Sequence, residues 1–526
     1  MSDVPEIPHG NLGYIAQLAA QAAPDAPAII DLWAGRERVL THGELETKLE
    51  RVANLAACLE LAPGSRVALA MPNRTEWLEV FFGVMRAGLV PVPLNIRQGM
   101  TALEHCVRDS GAEAAFYDLQ AFDGVEALFA HLPLDRRFAL DGAPGAQSYE
   151  QALAAMPDHF APIAIAADHT SFLPYTSGST GRPKGVVLTH AGQIWWIRAR
   201  QRYWPFTAST RAAVAVPLYH KNAMAGAVKP LLFCGGSFVL MPGFEPRAFL
   251  KALAGYRCTR AGAVPAVYSL LLRERDLLEE LDFSALTALS MGSAPVQAEL
   301  LEEVKRVFGV YVRESYGLTE GGPVMIGPAV DGRPAPYGSC GVAWPEGEVK
   351  LVDGCGREHP SDGELWVRNP GVTPGYHNLP QVNAQRLRDG WLATGDLFHR
   401  DADGFFYFRG RSDEMFKCAG ESVYPKEVEN LLLTHPAVSE ACVVPLPYGG
   451  KGHAPVAFVV PYREAVVEAQ ELKAHCLAHG AAYAHPRRIH IAGEMPLTGA
   501  GKQDRQAISR LLSALFAAEL EGGEGR

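Results

Sequence analysis

Through about the first 400 residues, short aliphatic and β-branched runs alternate with Ala- and Leu-rich stretches whose apolar positions recur every three or four residues. The runs at 66–70, 213–217 and 236–241 predict strands, and 41–59 and 246–254 predict helices. Such alternation predicts an α/β architecture with mainly parallel sheets, here two α/β subdomains in one large domain. Across 338–410 the strand-like runs lie closer together between turns, as in CGVAWPEGEVKLVDG and GELWVRNPG. That texture predicts a small antiparallel, barrel-like unit within the same domain. The polar joint Arg409-Gly410-Arg411-Ser412-Asp413 then introduces β-α-β patterning. The expected division is 1–410 as the large domain and 411–526 as a smaller, mobile α+β lid, with a hinge near Asp413. The acidic, Gly-rich stretch 519–526 is expected to fray.

Composition narrows the class. Of 526 residues, 48% are hydrophobic and 20% charged, which excludes a disordered or fibrous chain. With 48 basic against 58 acidic residues the net charge is −10, which disfavours non-specific binding to nucleic acid or an anionic membrane surface. The nine cysteines are scattered and form no C-x-x-C, so a disulfide framework or structural zinc is not expected. Residues 1–10 lack a basic-then-apolar leader pattern, and the longest uncharged apolar stretch, 230–244, is too short to span a bilayer. A cytoplasmic protein without a transmembrane segment is expected.

The chemistry concentrates first in Tyr175-Thr-Ser-Gly-Ser-Thr-Gly-Arg-Pro-Lys-Gly185, flanked by the strand-like SFLPY and VVLTH. Glycines let backbone N–H groups approach closely, the hydroxyls of Thr176, Ser177, Ser179 and Thr180 donate hydrogen bonds, and Lys184 supplies compact positive charge. With Gly178 and Gly181, these residues suit a loop wrapped round a polyphosphate. No Walker A pattern can be written here. Gly420-Glu421-Ser422-Val423-Tyr424 lacks the closing glycine of a nucleophile elbow, and Gly499-Ala-Gly-Lys502 is followed by Gln503 without the upstream glycine of a phosphate loop.

Four further motifs follow in order: Ser315-Tyr-Gly-Leu-Thr-Glu320, Gly390-Trp-Leu-Ala-Thr-Gly-Asp396, Gly410-Arg-Ser-Asp413 and Pro496-Leu-Thr-Gly-Ala-Gly-Lys502. Together with the loop they resemble the adenylate-forming superfamily of acyl-CoA synthetases, adenylation domains and luciferases. The resemblance implies ATP, Mg²⁺ and CoA as partners of a carboxylic acid. The acid is converted to acyl-AMP with release of pyrophosphate, and a thiol then displaces AMP.

It also implies residue roles. Glu320 holds Mg²⁺, Thr319 contacts the α-phosphate, and Tyr316 stacks on adenine. The adenine slot is completed by Gly292, Ser293, Ala294 and Pro295, with Ser315, Gly317 and Leu318 in the adjoining strip. A carboxylate accepts two hydrogen bonds and so suits vicinal ribose hydroxyls, the role of Asp396. Arg411 reaches the nucleotide, with an ion pair between these two residues as the alternative. Lys502 bridges the carboxylate and α-phosphate oxygens, although Gln503 stands where relatives carry Ile. His220 shapes the carboxylate site, and the acyl pocket draws on His220, Lys221, Asn222, Gly292, Ser315, Gly317, Gly321 and Gly322. In the thioester-forming state Lys417 approaches the nucleotide while Ala419 and Gly420 line the pantetheine channel. Cys418 is expected to be a spectator.

A carboxylate–CoA ligase is the leading expectation, acting on a small, aromatic or short- to medium-chain acid, with or without a polar group. An adenylation enzyme loading a carrier protein in trans, a luciferase-like oxygenase and a non-catalytic nucleotide-binding homologue are the alternatives. The resemblance is compatible with a homodimer.

Overall fold

A computed structural model describes residues 4–143, 145–177, 182–292, 298–322, 325–418, 421–447, 453–463, 465–498 and 503–521. The chain forms two compact units: 1–336 with 340–349 and 367–393, and 337–339 with 350–366 and 394–526.

The first unit holds two α/β layers. One sheet has seven strands in the order Val312–Ser315, Ala288–Gly292, Arg260–Ala263, Arg211–Val214, Ser237–Leu240, Pro27–Asp31, Arg38–Thr41. It is parallel except for its last pair. The second sheet is wholly parallel, in the order Val90–Pro93, Arg66–Ala70, Ala114–Asp118, Arg137–Leu140, Gln147–Ser148. Its strands are aliphatic on both faces because helices cover both. The helix Thr75–Arg86 is buried all round, with Trp77 stacked on Phe81 at 4.7 Å inside the main core. The α/β expectation therefore holds.

Local differences have local causes. The expected strand 213–217 runs instead over Arg211–Val214. Asn73 ends it: its Nδ2 donates to the carbonyls of Val216 (3.0 Å) and Met241 (3.1 Å), and its Oδ1 accepts from Leu218 N–H at 2.8 Å. The expected helix 41–59 spans His42–Ala57, with Thr41 and Glu44 closing a capping box at its start. In the apolar stretch after His220 the helix carries one π turn, Met224–Val228.

The second unit contains the antiparallel strands anticipated from the turn-rich stretch, with Asp396 in register with Arg411 and Leu351 with His359. Its C-terminal part has the α+β texture the sequence suggests. Val438–Pro447 and His453–Pro461 pair antiparallel, and Arg488–Ile491 joins in parallel. The helices Pro425–Leu433, Ala469–His479 and Arg505–Glu521 accompany them. Residues 519–521, expected in the fraying stretch, belong to that last helix. No helix among the described residues is long and apolar enough to cross a membrane.

Candidate functional site

In the first unit the Gly/Ser-rich loop springs from a β-hairpin. Tyr175–Ser177 pairs antiparallel with Pro183–Gly185, setting Thr176 opposite Lys184. Its feet are tied to the helix Met100–Ser110: Tyr175 Oη donates to Asp109 Oδ2 at 2.7 Å, and the His105 ring nitrogen lies 3.0 Å from Pro183 O. Burial, reinforced by the Asp109 carboxylate, holds the Tyr175 phenol far above its ordinary pKa, so it remains a donor. Gly178, Ser179, Thr180 and Gly181, and the side chain of Ser177, lie outside the described residues.

The strip from Ser315 to Glu320 begins at the edge of the seven-stranded sheet, where Ser315 is in register with Gly292. Tyr316 turns the chain, donating its N–H to Ile326 O at 2.9 Å and accepting from Met325 N–H at 3.1 Å. Gly322 follows with φ +84°, a left-handed conformation that suits glycine. Asn369 Nδ2 anchors the same turn by donating to Gly321 O at 2.9 Å. Ser293, Ala294 and Pro295 lie outside the described residues.

One segment joins the strip to the hairpin. Thr373 donates its N–H to Glu320 O at 2.7 Å and its hydroxyl to Val187 O at 2.6 Å. Tyr376 bridges to Val186 through the backbone, while its hydroxyl donates to Glu320 Oε1 at 3.1 Å. His377 N–H donates to Gly185 O at 2.8 Å. Glu320 is thus aligned beside the hairpin by a tyrosine and a threonine that no motif singled out. The Thr-Pro-Gly-Tyr turn at 373–376 gives no chemical signal of its own, because its work is positional. Glu320 makes no ion pair among the described residues, so its carboxylate keeps acceptor capacity that suits a hard cation.

His220 immediately precedes the short helix Lys221–Ala223, its ring 4.7 Å from that of Tyr219. Burial raises the Tyr219 phenol to about 12. The Lys221 ammonium donates to Gly317 O at 2.5 Å, which ties the start of this helix to the strip. Asn222 opens onto a cavity walled mainly by small residues, among them Ala212, Ala223, Gly226, Ala261 and Gly262. Of the residues expected in the acyl pocket, Asn222 lines this cavity, whereas His220, Lys221, Gly292, Ser315, Gly317, Gly321 and Gly322 are not part of its wall.

In the second unit Asp396 and Arg411 face each other across two strands, Nη1 to Oδ1 at 2.9 Å, and Arg411 Nε donates to Asp413 Oδ1 at 2.9 Å. The ion pair offered as the alternative for these residues is present, and Asp413 joins it. Lys417 is exposed on the strand Phe416–Cys418, whereas Cys418 is fully buried. Burial suits the spectator role expected of Cys418. Gln503, the departure from the family pattern, has its own partner: Nε2 donates to Ala441 O at 3.1 Å, and its backbone bridges to Leu497. Ala419, Gly420 and Lys502 lie outside the described residues.

Comparison with known proteins shows the family. Residues 16–377 match the AMP-binding enzyme family and residues 427–502 match the AMP-binding enzyme C-terminal domain. The chain is 34% identical over 469 residues to the feruloyl-CoA synthase of Amycolatopsis sp, covering 88% of this chain and 92% of that protein. It is 33% identical over 551 residues to the long-chain-fatty-acid–CoA ligase of Yersinia pestis, covering 96% of each. Among solved structures, the anthranilate CoA ligase AuaEII in complex with anthranoyl-AMP superposes with a TM-score of 0.88 at 26% identity, covering 98% of this chain and 99% of that one. The chain belongs to the AMP-binding enzyme family of adenylate-forming enzymes.

Proposed function

We propose that this protein is an ATP-dependent carboxylate–CoA ligase that forms acyl-AMP and pyrophosphate, then transfers the acyl group to CoA. The observation that carries the reading is the alignment of Glu320 beside the Thr176–Lys184 hairpin by Thr373 and Tyr376. A carboxylate oxygen of the substrate attacks the α-phosphorus of ATP, and the bond to the pyrophosphate oxygen breaks. Charge accumulates on the phosphoryl oxygens, so positioning and electrostatic stabilisation dominate.

Within that reading, Lys184 and the loop around it hold the polyphosphate. Thr319 contacts the α-phosphate, Tyr316 stacks on adenine with Gly292, and Asp396 takes the ribose hydroxyls. Glu320 is the residue that would hold Mg²⁺, which offsets phosphate charge when bound. His220 shapes the mouth of the acyl pocket. The division 1–410 and 411–526, with a hinge near Asp413, provides for two half-reactions. Lys502 serves adenylation, and Lys417 with the Ala419-Gly420 strip serves thioester formation. The nine cysteines are scattered along the chain without a C-x-x-C, a pattern that favours a reducing, cytoplasmic compartment.

The test is a panel of carboxylic acids with ATP and Mg²⁺. Pyrophosphate release is followed, acyl-adenylate is trapped as the hydroxamate, and CoA is then supplied. Acid-dependent hydroxamate followed by CoA thioester is the expected result. Hydroxamate without thioester at any CoA concentration would shift the reading to a carrier-protein-loading enzyme. Absence of hydroxamate across the panel would overturn the ligase assignment.

A further inference from the structure

The cavity beyond Asn222 has an unusual inner wall. Arg200, near the end of the helix His190–Tyr203, and Arg260, first residue of the strand Arg260–Ala263, both line it. Arg200 is only 2% exposed. Its guanidinium lies 3.9 Å from the centroid of Phe206 and 5.0 Å from that of Trp204, and Nη1 donates to Trp204 O. Arg260 lies 5.6 Å from the Phe206 centroid, with Nη1 buried and without a hydrogen-bond partner among the described residues. Arg313 stands 5.6 Å from Trp204. None of the three makes an ion pair among the described residues.

Three like charges gathered round two aromatic rings, with no carboxylate paired to them among the described residues, are costly. A guanidinium does not surrender its proton at neutral pH. Burial first, and then the mutual repulsion of the arginines, pull the basicity of Arg200 and Arg260 below the ordinary arginine range. Cation–π contacts offset part of this at about 0.5–2 kcal/mol each, but they leave N–H donors unused. A buried donor that no described residue accepts points to an acceptor from outside.

Its position suits an acyl substrate. Arg260 is in register with Ala288, and Gly292, at the nucleotide end of the same strand, lies four residues further on. At about 3.3 Å per residue this places the arginine level roughly 13 Å inward from the site of activation. Gly262 and Ser290 line the cavity between the two levels, packed so closely that a Cβ at 262 would lie 2.6 Å from Ser290 Oγ.

We propose that Arg200 and Arg260 form the receptor for a second anionic group on the acid, so that the substrate is a dianion. This means a dicarboxylic acid, or an aromatic acid bearing a carboxylate or sulfonate distal to the reacting carboxyl. The proposal rests on the ligase reading and narrows its substrate class. Lys221, whose ammonium is directed to Gly317 O, does not line this cavity.

The experiment compares matched acids on the parent and on Arg260→Met: glutarate and adipate against pentanoate and hexanoate, and terephthalate and isophthalate against benzoate. For at least one pair the parent favours the dianion. In Arg260→Met the ratio of kcat/KM for that pair falls about tenfold or more, and Arg260→Lys recovers part of it. A parent that favours the monoanion throughout, or a ratio unchanged in Arg260→Met, overturns the proposal while leaving the ligase reading intact. If no acid gives hydroxamate, the ligase reading itself has failed. Calorimetric titration of the same diacids then decides on the arginines, because binding that is absent, or equal in parent and variant, refutes the receptor. Removal of an uncompensated, half-buried charge is also expected to raise the melting temperature of Arg260→Met without ligand, a direction opposite to that of an ordinary core mutation.

Discussion

Glu320 is fixed by two contacts of different kinds, and they predict different losses. Its backbone carbonyl is held by Thr373 N–H and its carboxylate by Tyr376 Oη. Glu320→Gln should weaken metal-dependent turnover and raise the Mg²⁺ concentration needed for half-maximal pyrophosphate release. Tyr376→Phe removes a single neutral-to-charged hydrogen bond and should cost about 1.5–3 kcal/mol at most, read as a fall in kcat/KM for ATP. Equal metal requirements in Glu320→Gln and the parent would show that this carboxylate does not hold the cation. The sequence made Glu320 legible because its chemistry is carried by residue type within a motif. Tyr376, Asn73 and Thr373 act by bridging 56, 145 and 186 residues of chain, and a distance that long leaves no trace in local pattern. The arginine pair was equally hidden, since Arg200 and Arg260 sit on separate elements with nothing around them to mark a site.

At the scale of elements, periodicity located strands and helices well, and errors collected where a side chain from elsewhere ended the element. Asn73 stopping the strand at Val214 is such a case; the capping box at Thr41 is the opposite, a boundary written in adjacent residues. Thr41→Ala should accordingly lower stability by about 1 kcal/mol, measured as a shifted urea midpoint. A sharper demand falls on Gly341, which has φ +100° and where a Cβ would lie 1.9 Å from Gly327 O. Gly341→Ala combines an unfavourable backbone with an overpacked contact between backbone atoms. It should cost about 2–5 kcal/mol, taking the two effects together. A midpoint unchanged within error would mean that the strands Ile326–Gly327 and Val342–Ala343 yield more easily than their geometry implies.

Properties of the whole molecule follow from groups whose ionisation folding alters. Lys229 is buried among Phe172 and Trp196, its ammonium 2.5 Å from Gln193 Oε1, and burial lowers its pKa from 10.5 to about 7. Between those values the unfolded chain binds a proton at this amine that the folded chain does not, so stability should rise with pH over that window. Lys229→Met should flatten the rise, as urea denaturation at several pH values would reveal. His190 acts in the same sense lower down. Burial takes its pKa from 6.5 to about 3, and its Nδ1 accepts from Leu12 N–H at 2.9 Å. Stability contributed by its neutral form should therefore be lost as pH falls from 6.5 toward 3. The proposed division of half-reactions is tested at this scale too. Lys502→Ala should cost adenylation about 3 kcal/mol or more, whereas Gly420→Leu should spare pyrophosphate release and block thioester formation. Parallel losses of both steps in both variants would refute it.

Glu429 is 1% exposed and gathers three partners: Lys426 at 3.3 Å, Val443 N–H at 2.9 Å, and Arg505. The first two are synthesised close to it, but Arg505 follows 76 residues later, on a helix whose Ile508 and Leu512 complete the core under Cys442 and Val444. A ribosome extending this chain therefore exposes the unit with its central carboxylate only half compensated and one wall of its core missing. At about 5–20 residues per second that interval lasts several seconds. Slow codons before position 505 should therefore lower the yield of active protein without changing its sequence.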